Sequence, residues 1–150
     1  FTPLIGITTS FKNGVSTNIR TNITHTLDEV ANGLTYVSDS SILASITYNF
    51  SKGIRVSLPF TERNISLKNN MNISLNFDIS QKKEEGSKDK INFVEQNFTN
   101  TRKSVLRLTY SLTDNVTGSL FYEYRENDTR LTGERIDRDF GVNINVAIRG

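Results

Sequence analysis

The sequence has no cysteine, which excludes a disulfide scaffold and a thiolate metal site. It has a single histidine, His25, so neither a catalytic triad nor a histidine pair can form within it. No apolar run approaches the roughly 20 residues that a membrane-spanning helix needs, and no stretch reads as a signal peptide. The net charge is only +2, too little to suggest nucleic acid, and no Lys/Arg stripe interleaved with aromatics occurs. Hydrophobic residues make up 35% of the chain. The length of 150 residues suffices for one domain, but this composition supplies a core poorly. The first residue is Phe1 and not Met, so a processed product or a piece of a longer chain is expected.

What is present is a period of two. Val15, Thr17, Ile19, Thr21, Ile23, His25 and Leu27 alternate with Ser16, Asn18, Arg20, Asn22, Thr24 and Thr26, the pattern of a strand with one apolar and one wet face. It recurs at Met71–Ile79, at Leu106–Leu112, at Val116–Arg125 with Phe121 as the one exception, and at Phe140–Ile148. Ile5–Phe11 and Ile42–Phe50 complete a set of seven strands, and no segment reads as a helix.

Between these strands four stretches share one form: an apolar residue, three polar ones, another apolar one. They are "FKNGV" (11–15), "FSKGI" (50–54), "LKNNM" (67–71) and "LTDNV" (112–116). A three-residue hairpin loop is commonly a type I turn followed by a residue in the left-handed region, which Gly and Asn tolerate best. Positive φ is therefore predicted at Gly14, Gly53, Asn70 and Asn115. The flanking pairs Phe11/Val15, Phe50/Ile54, Leu67/Met71 and Leu112/Val116 are predicted to face each other. The remaining connections, "DEVANG" (28–33), "KKEEGSKDK" (82–90) and "ENDTRLTGERIDRD" (126–139), read as longer charged loops.

Tight turns at one end and long charged loops at the other describe an all-β, antiparallel transmembrane β-barrel of the Gram-negative outer membrane, with strands long enough to cross a bilayer at a tilt. The alternation assigns Ile19, Ile23, Ile73, Leu75, Phe77, Leu108, Tyr110, Leu120, Tyr122, Val142, Ile144 and Val146 to lipid. It assigns Asn18, Arg20, Asn22, Asn76, Asp78, Arg107, Glu123, Arg125, Asn143, Asn145 and Arg149 to a water-filled lumen. Phe11, Tyr48, Phe50 and Tyr110 at one end, with Tyr122, Tyr124 and Phe140 at the other, supply two aromatic girdles. Residues 54–67, with short arms and Pro59 near the bend, read as an excursion on the tight-turn side. Seven strands leave two edges unpaired, whereas single-chain bacterial barrels have even numbers from eight upward. Residues 1–150 are thus expected to be one wall segment of a larger barrel, with no internal domain boundary. A soluble β-sandwich acting as a binding module is the alternative for the fold; an ordinary porin or a surface-adhesion barrel is the alternative for the function.

The order of "TPLIGITTSFKNGVSTNIRTN", "ITYNF", "SLPF", "LKNNMNISLNFDIS" and "TRKSVLRLTYSLTDNVTGSLFYEY" resembles the C-terminal end of the SprA (Sov) family. These are the giant outer-membrane translocons of the Bacteroidota type IX secretion system, which gliding motility also requires. The resemblance covers essentially the whole chain and rests on the order of ordinary β-barrel words. It implies a conduit for folded cargo with C-terminal signal domains, released sideways to a shuttle barrel, with a plug at the periplasmic end. The chain departs from the usual outer-membrane pattern in ending "NVAIRG", without a terminal aromatic.

Candidate chemistry is sparse. His25 falls on the apolar parity near an outer connection, an interfacial placement. Seven N-x-S/T sequons, at Asn22, Asn49, Asn64, Asn72, Asn97, Asn115 and Asn127, fall mostly inside strands, where glycosylation is not expected. Glu84, Glu85 and Asp89 lack the spacing of a calcium loop and read as a solvated loop. Glu123 and Asp78 share the polar parity with Arg20, Arg107, Arg125 and Arg149. They read as wall charges rather than a glycosidase pair, and neither an enzymatic role nor a cofactor is expected.

Overall fold

The computed structural model describes residues 5–50, 54–57, 64–67 and 69–147, and all of the regular structure among them is β. The strands are β1 (Ile5–Ser10), β2 (Val15–Val30), β3 (Gly33–Phe50), β4 (Ile54–Ser57), β5 (Asn64–Leu67), β6 (Met71–Ser87), β7 (Val94–Ser111), β8 (Val116–Thr129) and β9 (Gly133–Val146). Seven of them form one antiparallel sheet in the order β1-β2-β3-β6-β7-β8-β9. β4 and β5 pair only with each other. The sheet is a meander with one hairpin inserted between neighbours β3 and β6. Its two edges, β1 and β9, are open among the described residues.

The sheet is a single layer. Among the described residues Met71 is the one buried hydrophobic side chain, and no large side chain is fully buried. A period of two puts alternate residues on opposite faces. Among the described residues no second layer buries either face, so cohesion comes from the backbone ladders and from cross-strand pairs.

Two of the four polar triplets return the chain directly. At Lys12–Gly14 the Phe11 N–H donates to the Val15 carbonyl (2.8 Å) and the Gly14 N–H to the Phe11 carbonyl (3.1 Å), with φ +89° at Gly14. A Cβ there would lie 2.5 Å from the Asn49 carbonyl oxygen, so both conformation and space select glycine. At 112–116 the Leu112 N–H donates to the Val116 carbonyl (2.8 Å), as Phe11 does to Val15, but the inner bonds shift by one residue: Val116 N–H donates to Thr113 O (3.4 Å) and Thr113 N–H also to Val116 O (3.1 Å). This shift leaves Asn115 out of the left-handed region, contrary to the sequence expectation; its carbonyl instead accepts from Ala147 N–H (2.8 Å). Asn70 is likewise not left-handed, because it prolongs β6 and its carbonyl accepts from Ser111 N–H (3.1 Å). Among the described non-glycine residues only Lys90 has a positive φ. Gly53 lies outside the described residues.

The other two triplets are not separate hairpins. Phe50 pairs with Met71 in the large sheet and Ile54 with Leu67 in the small one, so these pairs replace the expected Phe50/Ile54 and Leu67/Met71. The long charged loops are also corrected. Most of 28–33, 82–90 and 126–139 is strand, and the connections that remain are Ala31–Asn32, 88–93 and Arg130–Thr132. Charged residues occupy both faces of strands that simply run further than their apolar stretch, as Lys82–Glu85 do in β6.

Candidate functional site: the two faces of the sheet

Residues directly opposite one another in an antiparallel ladder share a face, so the register sorts every side chain. All twelve residues predicted for the apolar face lie on one face. Ile19, for instance, is level with Ala44, Phe77, Ser104, Tyr124 and Arg138. Asn18, Arg20, Asn22, Asn76, Asp78, Arg107, Glu123, Arg125, Asn143 and Asn145 lie on the other face; Arg149 falls outside the described residues.

The apolar face is organised obliquely. The Phe11/Val15 turn is level with Tyr48, Ile73, Leu108, Leu120 and Val142. The Phe50/Met71 closure is level with Tyr110, Gly118 and Ile144, and the Leu112/Val116 turn with Val146. Each hairpin therefore ends two residues beyond the one before it. The first charge met on this face above the turns is Glu29 on β2, Lys83 on β6, Arg102 on β7, Glu126 on β8 and Arg138 on β9, while β3 has none from Phe50 to Leu34. By the register the charge limit is lower on β7–β9 than on β2–β6, the same sense as the turns but not in equal steps. Counted up from the turns, Val15–Ile23, Ile42–Phe50, Met71–Ile79, Ser104–Leu112 and Val116–Tyr124 are windows of nine residues that carry no charge on this face. The aromatics sit near the ends of these windows, Tyr48 and Phe50 edge-to-face. Within the windows nine large apolar side chains are open, from 42% for Phe77 to 51% for Ile79, while Met71 at the turn end is buried.

On β6, β7 and β8 charges return on the same face beyond the windows. Arg102 pairs with Glu126 at 2.9 Å, and Lys83 with Glu85 (2.6 Å) and Glu95 (3.4 Å). Level with Lys83 and Glu85, His25 stacks on Tyr36, whose hydroxyl lies 2.8 Å from His25 Nδ1, and Phe93 meets Tyr36 edge-on. The 88–93 connection is tied down by Asp89, which accepts from the backbone N–H groups of Ile91 and Asn92 and from the Asn92 and Ser87 side chains. These donors hold its carboxyl well below the usual carboxylate range, the Asn92 backbone bond being the largest cause.

The polar face is a ladder of short side chains with a charged sector. Asn18 donates to Thr8 Oγ1 and Asn22 to Ser41 Oγ, Asn72 and Asn49 are bonded amide to amide, and Thr101 donates to Asn127. Toward β7–β9, Glu123 accepts from Lys103 (3.0 Å) and Arg125 (2.7 Å), and Arg135 pairs with Asp137 (3.0 Å). An open depression of about 420 Å³ lies over Arg20, Leu43, Asp78, Lys103 and Val105. Phe121, the exception in the alternation, lies on this polar face with Arg107 above its ring (5.8 Å to the centroid). Its ring fills the place where a Cβ on Gly141 would sit, 2.3 Å from Cε1. Lys103, Asp137 and Asp139 were not singled out from sequence, yet their parity with Arg107 and Glu123 would have placed them had β7 and β9 been read to full length. Among the described residues no three His, Cys, Asp or Glu side chains converge to hold a metal ion.

No family model, curated protein or solved structure matches the chain.

Proposed function

We propose that the sheet is a wall segment of a large outer-membrane β-barrel, with its apolar face against lipid and its polar face lining a water-filled passage. The observation that carries this reading is the slant of the tight turns, from which the uncharged windows rise. A descent of two residues every two strands is about 6.8 Å over about 9.6 Å of sheet width, a strand tilt of about 35°, within the range of membrane barrels. Nine residues at that tilt give an apolar belt about 22 Å tall, close to the roughly 25 Å of an outer-membrane barrel. A bilayer is flat, so strands that cross it at a tilt must shift their apolar windows along the register by the tangent of that tilt. The turns follow this rule, and the charge limit falls in the same sense from β2 to β9.

The passage is a conduit and performs no chemical step. With the SprA-like order of its strand words, the best-supported role is export of folded secreted proteins through a type IX secretion translocon, the system that also serves gliding motility. Cargo with C-terminal signal domains, a shuttle barrel and a periplasmic plug are the partners this role entails. The hydroxyl and amide wall of β1, β2, β3 and β6 suits such transit, because it offers a passing protein surface neither an apolar patch nor a dense single-sign field.

Cysteines introduced singly along β8 and β9 of the membrane-embedded parent protein test the wall. Asn143→Cys and Glu123→Cys are expected to react with a water-soluble thiol reagent. Ile144→Cys and Leu120→Cys are expected to resist it and to place a fluorophore where brominated lipids quench it. Equal reactivity of both faces would sink the membrane reading. A photo-crosslinker at Asn76 then distinguishes export from a porin: a stalled secreted protein is captured by a translocon, whereas a porin captures none and passes small solutes.

A further inference from the structure

The open edge of β9 carries an electrostatic mismatch that the sheet does not resolve. Glu123 and Asp139 are directly opposite on the polar face, and like charges in that position destabilise a pair. The Glu123 carboxylate is engaged by Lys103 from β7 and by Arg125 of its own strand. Asp137, the next polar-face acid on β9, is held by Arg135 of its own strand. Asp139 has no ion pair among the described residues and stands on the strand whose far side is open. On the other face of β9, Phe140, Val142, Ile144 and Val146 are 58–71% exposed, more than most of their level neighbours on the inner strands.

Resting on the barrel-wall reading, we propose that β9 is paired in the assembled protein by an antiparallel strand bearing a lysine or arginine opposite Asp139. The charge mismatch selects for a cation at that position, and the slant of the windows places the strand's apolar stretch against Phe140–Val146. β1 does not meet this description. As the first of seven alternating strands it runs parallel to β9, and its residues Ile5–Ser10 contain no cation. The sheet therefore does not close on itself, and its cationic partner is a further strand of the same wall.

The parent protein, in its native membrane with a photoactive residue replacing Asn143, is irradiated and digested, and the cross-linked peptide is sequenced. The expected product joins β9 to a peptide of alternating polarity from the same polypeptide, with Lys or Arg four positions C-terminal to the linked residue. Asp139→Lys should lower the yield of folded barrel several-fold, and exchanging the partner cation for Asp in that variant should restore it. A linked peptide without a base at that position overturns the proposed ion pair and leaves the wall reading intact. A link to β1, or to β9 of a second copy, overturns the proposed partner. Adducts to lipid alone would mean that the edge is unpartnered, and the wall reading fails with it.

Discussion

Glycine and asparagine are interchangeable in turn statistics because both enter the left-handed region, but this sheet uses them differently. Gly14 adopts φ +89° and its Cα faces the Asn49 carbonyl, whereas Asn115 hydrogen-bonds through its backbone to Ala147 and stays out of that region. Gly14→Ala should therefore cost about 1–3 kcal/mol of local stability. Asn115→Gly should gain nothing and lose about 0.5–1 kcal/mol through added chain entropy. Amide exchange at Phe11 and Gly14, and at Thr113 and Val116, reads the two effects. A stabilising Asn115→Gly would contradict the turn described for 113–116. Phe121 makes the same point about reading single residues. In the sequence it breaks the alternation; in the sheet it is a ring laid across Gly141 and under Arg107, the way an aromatic side chain covers a glycine that exposes its backbone in a strand. Neither partner is near it in sequence, so only the register reveals the reason.

At the scale of elements, the apolar halves of the strands were legible and the polar halves were not. Periodicity located Met71–Ile79 because both faces contribute to the contrast. From Gln81 to Ser87 both faces are polar, and the same strand looked like the loop "KKEEGSKDK". The hairpins Phe50/Ile54 and Leu67/Met71 failed for a related reason: each local pattern is sound, but the ladder that wins joins Phe50 to Met71 across the whole excursion. What remains of the outer connection at 88–93 is ordered by Asp89, which predicts a pH dependence of definite sign. A carboxyl held below its ordinary value contributes its stability fully above that value, and the contribution is lost as pH falls toward the folded-state value. Protection factors at Ile91 and Asn92, whose N–H groups donate to Asp89, should be flat from pH 7 to about 5 and decline below about 4. Asp89→Ala should abolish both the protection and its pH dependence. Protection that instead rises on acidification would refute the role given to the carboxylate.

For the whole molecule, the division into two faces was readable from parity alone, while the slant was not, since it exists only once the strands are placed in register. That slant leads to a comparison that a uniform apolar sheet would not produce. Ile19 and Tyr124 are level with one another through Ala44, Phe77 and Ser104. If the apolar belt followed the register, arginine at either position would be equally harmful. In a belt tilted by about 35°, Ile19 is the middle of the window Val15–Ile23, and Tyr124 is the top of the window Val116–Tyr124. Ile19→Arg should then cost about 2–4 kcal/mol, the value for a cation at the midplane, and Tyr124→Arg about 0–1 kcal/mol, the value near the interface. Leu120→Arg, at the middle of the same strand, should behave like Ile19→Arg. The chain already holds an arginine, Arg138, directly opposite Tyr124, where the tilted belt has ended and a level one would not have. The fraction of parent barrel that resists unfolding on unheated gels, compared across the three variants, measures the ranking. Equal losses at Ile19 and Tyr124 would mean that the windows do not track a bilayer, and the tilt, the belt and the lipid assignment would fall together.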